Sequence, residues 1–205
     1  PKDFTMQLLM SPASPFVRKA RVLIREANLM DTVTEVEVAT TPLNSDQSVV
    51  AANPLGKIPA LIRADGPAIY DSRVITRFLD DHAGSDLYPQ SRIWEILTLE
   101  ATGDAIMEAA VGITYEMRFR PKDKHMPEWM DAQWAKITRA LAAIETRWIS
   151  HLNGPLDMGQ IGVASALSYL DLRHDARAWR NGHAALADWH AGFSKRDSMV
   201  ATAPA

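Results

Sequence analysis

Three short stretches of the chain place chemically capable residues at the ends of regular elements. Ser14-Pro15-Phe16-Val17-Arg18-Lys19 stands where an apolar run gives way to a helical pattern. Asn53-Pro54-Leu55-Gly56-Lys57-Ile58-Pro59 is a loop of turn formers, and Asp71-Ser72 opens a further helical stretch. Serine and aspartate at a helix start cap its free N–H groups, and those N–H groups with the helix field also suit an anionic ligand. Other chemistries lack their residues. Without a single cysteine there is no disulfide, no protein thiol nucleophile, no thiolate zinc site and no iron–sulfur ligation. The histidines, at 82, 125, 151, 174, 183 and 190, contain no i, i+4 pair and no His-Glu-x-x-His element, so no metal is expected. There is no Gly-x-Gly-x-x-Gly, no phosphate loop and no Gly-x-Ser-x-Gly elbow. Sulfur chemistry, if any, must arrive on a ligand.

The elements that would hold these residues divide into two parts. The chain has 205 residues, 47% of them apolar and 23% charged, with a formal net charge of −3, as in an ordinary globular protein. Net charge is −2 before residue 90 and −1 after it, so neither part carries the basic footprint of a nucleic-acid binder. Eight of the twelve prolines lie at or before Pro89, and all six tryptophans lie after it. In the first part, the run Thr5 to Met10 predicts a buried strand, and Phe16 onward a helix with Val17, Ala20, Ile24 and Ala27 inward and Arg18, Lys19, Arg21 and Arg25 on other faces. Thr34 to Val38 alternates as a second strand, Asp46 to Ala52 is a short helix, and Ala60 to Arg63 is a strand. Asp65-Gly66 signals a hairpin into Ala68-Ile69-Tyr70, and a helix runs from Ser72 to His82. The order is β-α-β-α-β-β-α.

From Ser91 onward only helical spacing persists. One long helix reaches about Arg118, and a second runs from about Glu128 to His151. A third starts at a capping box of Asp157 and Gln160 and ends near Leu172, and a fourth covers roughly Ala184 to Phe193. Arg118, Arg120, Lys122 and Lys124, with acidic neighbours Glu116 and Asp123, read as a solvated loop. No stretch approaches the roughly 20 apolar residues of a membrane span, and Pro1 to Thr5 lack the start of a secretion signal; a cytoplasmic protein with no membrane partner is expected.

Taken together, at these spacings and ahead of a helical half, the three stretches resemble a cytosolic glutathione S-transferase of the serine type found in bacteria. The resemblance spans nearly the whole chain and ends in Ala187-Asp188-Trp189-His190 and Arg196-Asp197-Ser198. It implies an α/β plus all-α fold: a thioredoxin-like domain over residues 1–83 that binds glutathione, and an all-helical domain over residues 90–205 that forms the pocket for a hydrophobic substrate. It also implies a homodimer. Glutathione would be a co-substrate and no metal would be needed. A proline after Ile58, cis in the family, would hold the Ile58 backbone outward to pair with the cysteinyl unit like an added strand. Lys57 would meet the glycyl end, Ser72 the γ-glutamyl carboxylate at a helix start, and Asp71 the ligand's ammonium group. Phe16 and Pro59 complete the expected glutathione site.

The resemblance also frames how the thiol is activated. Family members use tyrosine, serine or cysteine near the first helix; here the first tyrosine is Tyr70 and cysteine is absent, which leaves Ser14 and Ser11. Ser14, directly before Pro15-Phe16, matches the serine-type pattern, and Ser11 is the alternative. Arg18, one turn on, either adds positive potential or is simply exposed. By analogy Pro12, Ala13, Ile106, Ala110, Val111 and Tyr115 line the electrophile pocket. The expected activity is attack of the glutathione thiolate on a small hydrophobic electrophile. The alternatives are a peroxidase or isomerase on the same site and a noncatalytic interaction protein on the same scaffold. Two departures from the family pattern stand out: Asp157 and Gln160 take the places of a hydroxyl cap and an acidic partner, and Asp197 stands where proline is usual.

Overall fold

A computed structural model of the chain describes residues 5–204. Pro1 to Phe4, part of the stretch read above for a secretion signal, lie outside the described residues. The chain forms two compact units, one of residues up to Pro89 together with the segment from Asp197 on, the other Gln90–Arg196.

The first unit is built on β1 (Met6–Met10), the centre of a three-stranded sheet. Leu8, Leu9 and Met10 are consecutive and all buried, as in a central strand covered on both faces, and Gln7 is the exposed residue of the strand. β1 lies parallel to β2 (Val33–Glu37), Met6 facing Val33 and Met10 facing Glu37. A parallel neighbour requires a crossover, supplied by α1 (Pro15–Glu26). After α2 (Gln47–Ala52), capped by Asp46, β3 (Ala60–Ile62) joins the other side of β1 in antiparallel register, with Leu9 opposite Ala60 and Gln7 opposite Ile62. The hairpin expected at Asp65-Gly66 is reduced to a single bridge between Leu61 and Ile69. α3 (Ser72–Ala83) follows and stops at Gly84, whose φ of 61° is the left-handed conformation a helix end favours.

The basic residues of α1 depart from expectation. Arg18, Lys19 and Arg21 are buried rather than solvent-facing. Arg21 Nε and Arg25 Nη1 donate to opposite oxygens of Glu35 on β2, at 2.9 and 2.6 Å, so one strand carboxylate draws two guanidinium groups of the helix inward.

The second unit contains α4 (Ile93–Phe119), α5 (Pro127–Arg147), α6 (Ile149–Leu152), α7 (Met158–His174) and α8 (Ala184–Phe193). The single helix expected from Glu128 to His151 divides at Trp148, where the backbone leaves the helix at φ −117°. α7 is buried around nearly its whole circumference, which explains its lack of a polar face. Its start is the capping box expected from sequence: Asp157 Oδ1 accepts from Gln160 N at 3.1 Å and Gln160 Oε1 accepts from Asp157 N at 3.3 Å. α4 crosses α7 at Gly103, where only a glycine fits against the Gly162 backbone.

Residues 197–204, expected with the helical domain, group instead with the first unit. α9 (Asp197–Ala201) packs on α1. Asp197 is its first residue, a position that suits aspartate through the helix field and proline through its fixed φ, so the departure at 197 leaves the helix start intact. No helix of the described residues is long and apolar enough to cross a membrane.

Candidate active site

The sheet register delivers the three motif stretches of the first unit to one place. Ser11 to Ser14 leave the carboxyl end of β1 after Met10. Because Ala60 faces Leu9, Ile58 and Pro59 enter β3 at that same end. Ile69 pairs antiparallel with Leu61, so the chain running on through Tyr70 brings Asp71 and Ser72 there as well. Ligand sites of parallel sheets form outside the carboxyl ends of strands, where loops and helix starts collect.

Ser14 is the N-cap of α1, half-buried, with its Oγ accepting from Val17 N at 3.3 Å. Its carbonyl accepts from Arg18 N at 3.0 Å and its N–H donates to Ser11 O at 3.1 Å. A hydroxyl carries two lone pairs and one hydrogen, and no acceptor among the described residues takes that hydrogen. Capping and donation to a ligand are therefore compatible. Ser11 is half-buried and lies three residues before the cap, outside the helix. Pro12, Ala13 and Phe16 are half-buried around the same turn.

The Ile58–Pro59 peptide is cis. Ile58 packs its side chain on the cluster of Leu9, Val49 and Ala60, while neither its backbone N–H nor its C=O has a partner among the described residues. Asn53, buried, holds the loop by donating from Nδ2 to Lys57 O at 2.9 Å and accepting from Leu55 N at 3.0 Å. The Lys57 side chain is exposed and Pro59 is buried. At α3, Asp71 Oδ1 caps Arg73 N at 3.0 Å, and Arg73 Nη2 meets Asp71 Oδ2 at 2.8 Å. Hydrogen bonding from the Arg73 side chain, with its N–H and the more distant Lys19 charge, holds the Asp71 carboxyl below the ordinary carboxylate range. Ser72 is buried in the first turn. Arg73 was not singled out from sequence; an arginine two residues after a cap reads as surface charge.

In the helical unit the pocket candidates separate. Ile106 and Ala110 are enclosed, and Ala110 O accepts from His174 Nε2 at 2.9 Å, so both belong to the core rather than to an open wall. Val111 is half-buried and Tyr115 is 42% exposed, its phenol pushed up by burial and so kept protonated. An open groove of about 520 Å³ between α4 and α5, lined by Trp94, Leu97, Ala101, Ala105 and Ala140 among others, includes none of the candidates. No group of three or more His, Asp or Glu side chains among the described residues could hold a metal ion.

Comparison with known proteins bears on the whole arrangement. Residues 13–82 match the family model for the glutathione S-transferase N-terminal domain and residues 127–192 the model for its C-terminal domain. A crystal structure of a glutathione transferase family member from Pseudomonas fluorescens Pf-5, with bound glutathione, is 43% identical, with 98% of this chain and 100% of that chain covered and a TM-score of 0.95. A Pf-5 family member with bound S-(propanoic acid)-glutathione is 42% identical over the same shares, with a TM-score of 0.91. The GST-like protein YibF of Escherichia coli K12 is 27% identical over 204 residues, 97% of this chain and 98% of that protein. Both domain matches in order on one chain, and 43% identity from end to end, make this chain a member of the glutathione S-transferase family.

Proposed function

We propose that the protein conjugates glutathione to a small hydrophobic electrophile, with the Ser14 hydroxyl holding the glutathione sulfur as thiolate. The observation that carries this reading is the uncommitted Ser14 hydrogen at the start of α1, at the same sheet end as the unpaired Ile58 backbone. A free thiol has a pKa near 8.5, so little of it is ionised at neutral pH; lowering it by about two units requires roughly 2.7 kcal/mol. A charge-assisted hydrogen bond from Ser14, added to the field of α1, is of that size. The thiolate then forms a carbon–sulfur bond as the leaving group departs with its electron pair.

The remaining residues act in recognition. The Ile58 N–H and C=O pair with the cysteinyl unit, and exposed Lys57 meets the glycyl carboxylate. The start of α3 at Ser72 takes the γ-glutamyl carboxylate, and Asp71, bridged to Arg73 yet open to solvent, accepts from the ammonium group. Bound S-(propanoic acid)-glutathione in a Pf-5 relative supports a site with room beyond the sulfur. Of the α4 candidates, half-buried Val111 and exposed Tyr115 are proposed to meet the electrophile. The protein is further proposed to be a homodimer, as the family resemblance implies; a monomer mass by light scattering would reject this.

Calorimetry with glutathione, followed by turnover of chlorodinitrobenzene and of a hydroperoxide panel, tests the function. Binding with conjugation supports it. Turnover of peroxides alone would make the protein a peroxidase on this site, and no binding at millimolar ligand would make it a noncatalytic scaffold.

A further inference from the structure

The end of the chain is fastened to the helix that carries Ser14. Arg18 is 8% exposed, and its guanidinium donates from Nη2 to Met199 O at 3.0 Å and from Nε to Thr202 Oγ1 at 3.4 Å. Thr202 is fully buried, and its hydroxyl in turn donates to Ser198 O at 2.8 Å. Eight residues further along α1, Glu26 Oε1 accepts from Ser198 Oγ at 2.5 Å. The segment from Asp197 is thus tied to α1 at two points about 12 Å apart along the helix axis, one near each end.

The choice of arginine is informative. No carboxylate pairs with Arg18 among the described residues, and burial, with Arg21 nearby, lowers its pKa to about 10. Burying a cation is costly, and an apolar side chain would pack two elements together at less cost. What an arginine adds is a rigid fork reaching acceptors 181 and 184 residues away. Its own N–H closes the first backbone bond of α1 onto Ser14 O. The side-chain cap of that turn, from Val17 N to Ser14 Oγ, is long at 3.3 Å.

We propose that the segment from Asp197 onward is a strap that fixes the first turn of α1 through Arg18, making Arg18 a positioning residue for the Ser14 hydroxyl. The catalytic part of this inference rests on the Ser14 reading above; the mechanical part does not.

The test uses full-length Thr202→Val, which keeps the side-chain shape and removes the acceptor, with Thr202→Ser as the restoring variant and a chain ending at Arg196 as the extreme case. Hydrogen exchange at the Val17 and Arg18 amides reports the first turn directly. In Thr202→Val it should quicken about tenfold while exchange in α3 and the helical unit is unchanged. With glutathione and chlorodinitrobenzene, kcat should fall about threefold to tenfold, with KM for glutathione held within about twofold, and Thr202→Ser should recover the loss. In a Ser14→Ala background, Thr202→Val should cost nothing more, because two changes acting through one hydroxyl are not additive. Unchanged exchange at residues 17 and 18, or quickening spread evenly over the protein, would overturn the strap. Losses that multiply in the double variant would overturn the positioning role. If Ser14→Ala keeps full turnover, the Ser14 reading fails while the exchange measurement still decides the strap. Should the shortened chain not fold, the two Thr202 variants carry the test alone.

Discussion

Ser14→Ala separates the two jobs the hydroxyl can do, because they differ in size. The cap bond from Val17 N is 3.3 Å long, beyond the usual range, and half-buried, so its loss belongs at the low end for a cap, about 0.5–1 kcal/mol. For a chain of this length that lowers the melting temperature by only about 1–4 °C. A hydrogen bond to a thiolate is worth about 1.5–3 kcal/mol, which at 1.36 kcal/mol per unit raises the bound thiol pKa by about one to two units. From a starting value of about 6.5, the thiolate fraction at neutral pH then drops roughly fourfold to fortyfold. The assay pairs thiolate absorbance of the glutathione complex, titrated over pH, with turnover of chlorodinitrobenzene at each pH. The variant should melt within a few degrees of the parent, bind glutathione through Ile58, Lys57 and the start of α3, and regain turnover as the pH rises past the new pKa. An unchanged thiolate titration with unchanged turnover would refute the assignment. The same shift produced by Ser11→Ala would move the role to Ser11.

Three further changes probe the scaffold. A Cβ on Gly103 would lie 2.8 Å from the Gly162 carbonyl carbon and 3.1 Å from Val163 N, while one on Gly162 reaches no closer than 3.5 Å to Glu100 Cα. Gly103→Ala should therefore destabilise by about 1–3 kcal/mol in urea and Gly162→Ala should be neutral or stabilising; equal effects would sink the close-approach reading. Asp157, fully buried, caps Gln160 and meets His151 Nε2 at 2.8 Å and Arg92 Nη1 at 3.6 Å, so Asp157→Ala should cost about 3–5 kcal/mol and Asp157→Asn, which keeps the cap, clearly less. A loss no larger than that of an exposed cap, about 1 kcal/mol, would contradict this. Burial lowers the His174 pKa below 6.5, and its Nε2 must carry hydrogen to meet the Ala110 carbonyl. Acid protonates this imidazole in the unfolded chain first, so its contribution is whole above pH 6.5 and is lost as pH falls through the folded value. Denaturation at about pH 7.5 and about pH 5.5 should show a smaller pH-dependent loss for His174→Gln than for the parent, and identical losses would refute it.

Local pattern was enough for most elements because their causes are local. The switch from the apolar run of β1 to helical spacing after Pro15, the Asp157 and Gln160 box, and the fourth helix at Ala184–Phe193 each follow from residues within a turn or two of one another. The misread features depend on distant partners. Arg18, Arg21 and Lys19 look like a wet face of α1 until Glu35 and the chain end are placed beside that helix. Ile106 and Ala110 share the helical spacing of Val111 and Tyr115, but a long helix covered on more than one side carries core and surface residues at the same periodicity. Asp197 was legible as a departure from pattern and not as the start of a helix, because the five residues of α9 are too few to show a period.

The missing cysteine constrains the chemistry at Ser14 further than the choice of nucleophile. With no protein thiol, the proposed conjugation takes its sulfur from the ligand, whose proton has to leave before that sulfur can attack. Ser14 is badly suited to take that proton: a neutral alcohol is no base near neutral pH, and one of its lone pairs is already engaged by Val17 N. It is well suited to stabilise what remains, since its single hydrogen is free to be given. On the proposed reading the proton therefore goes to solvent, beside a turn that is only half-buried. In that reading Ser14 acts on an equilibrium, the acidity of the bound thiol, and not on the rate of proton removal. Deleting a general base leaves the pKa of the bound thiol where it was, whereas deleting a stabiliser of the ionised form raises it. An upward shift of the bound-thiol titration in Ser14→Ala is thus the outcome that loss of a catalytic base alone could not produce.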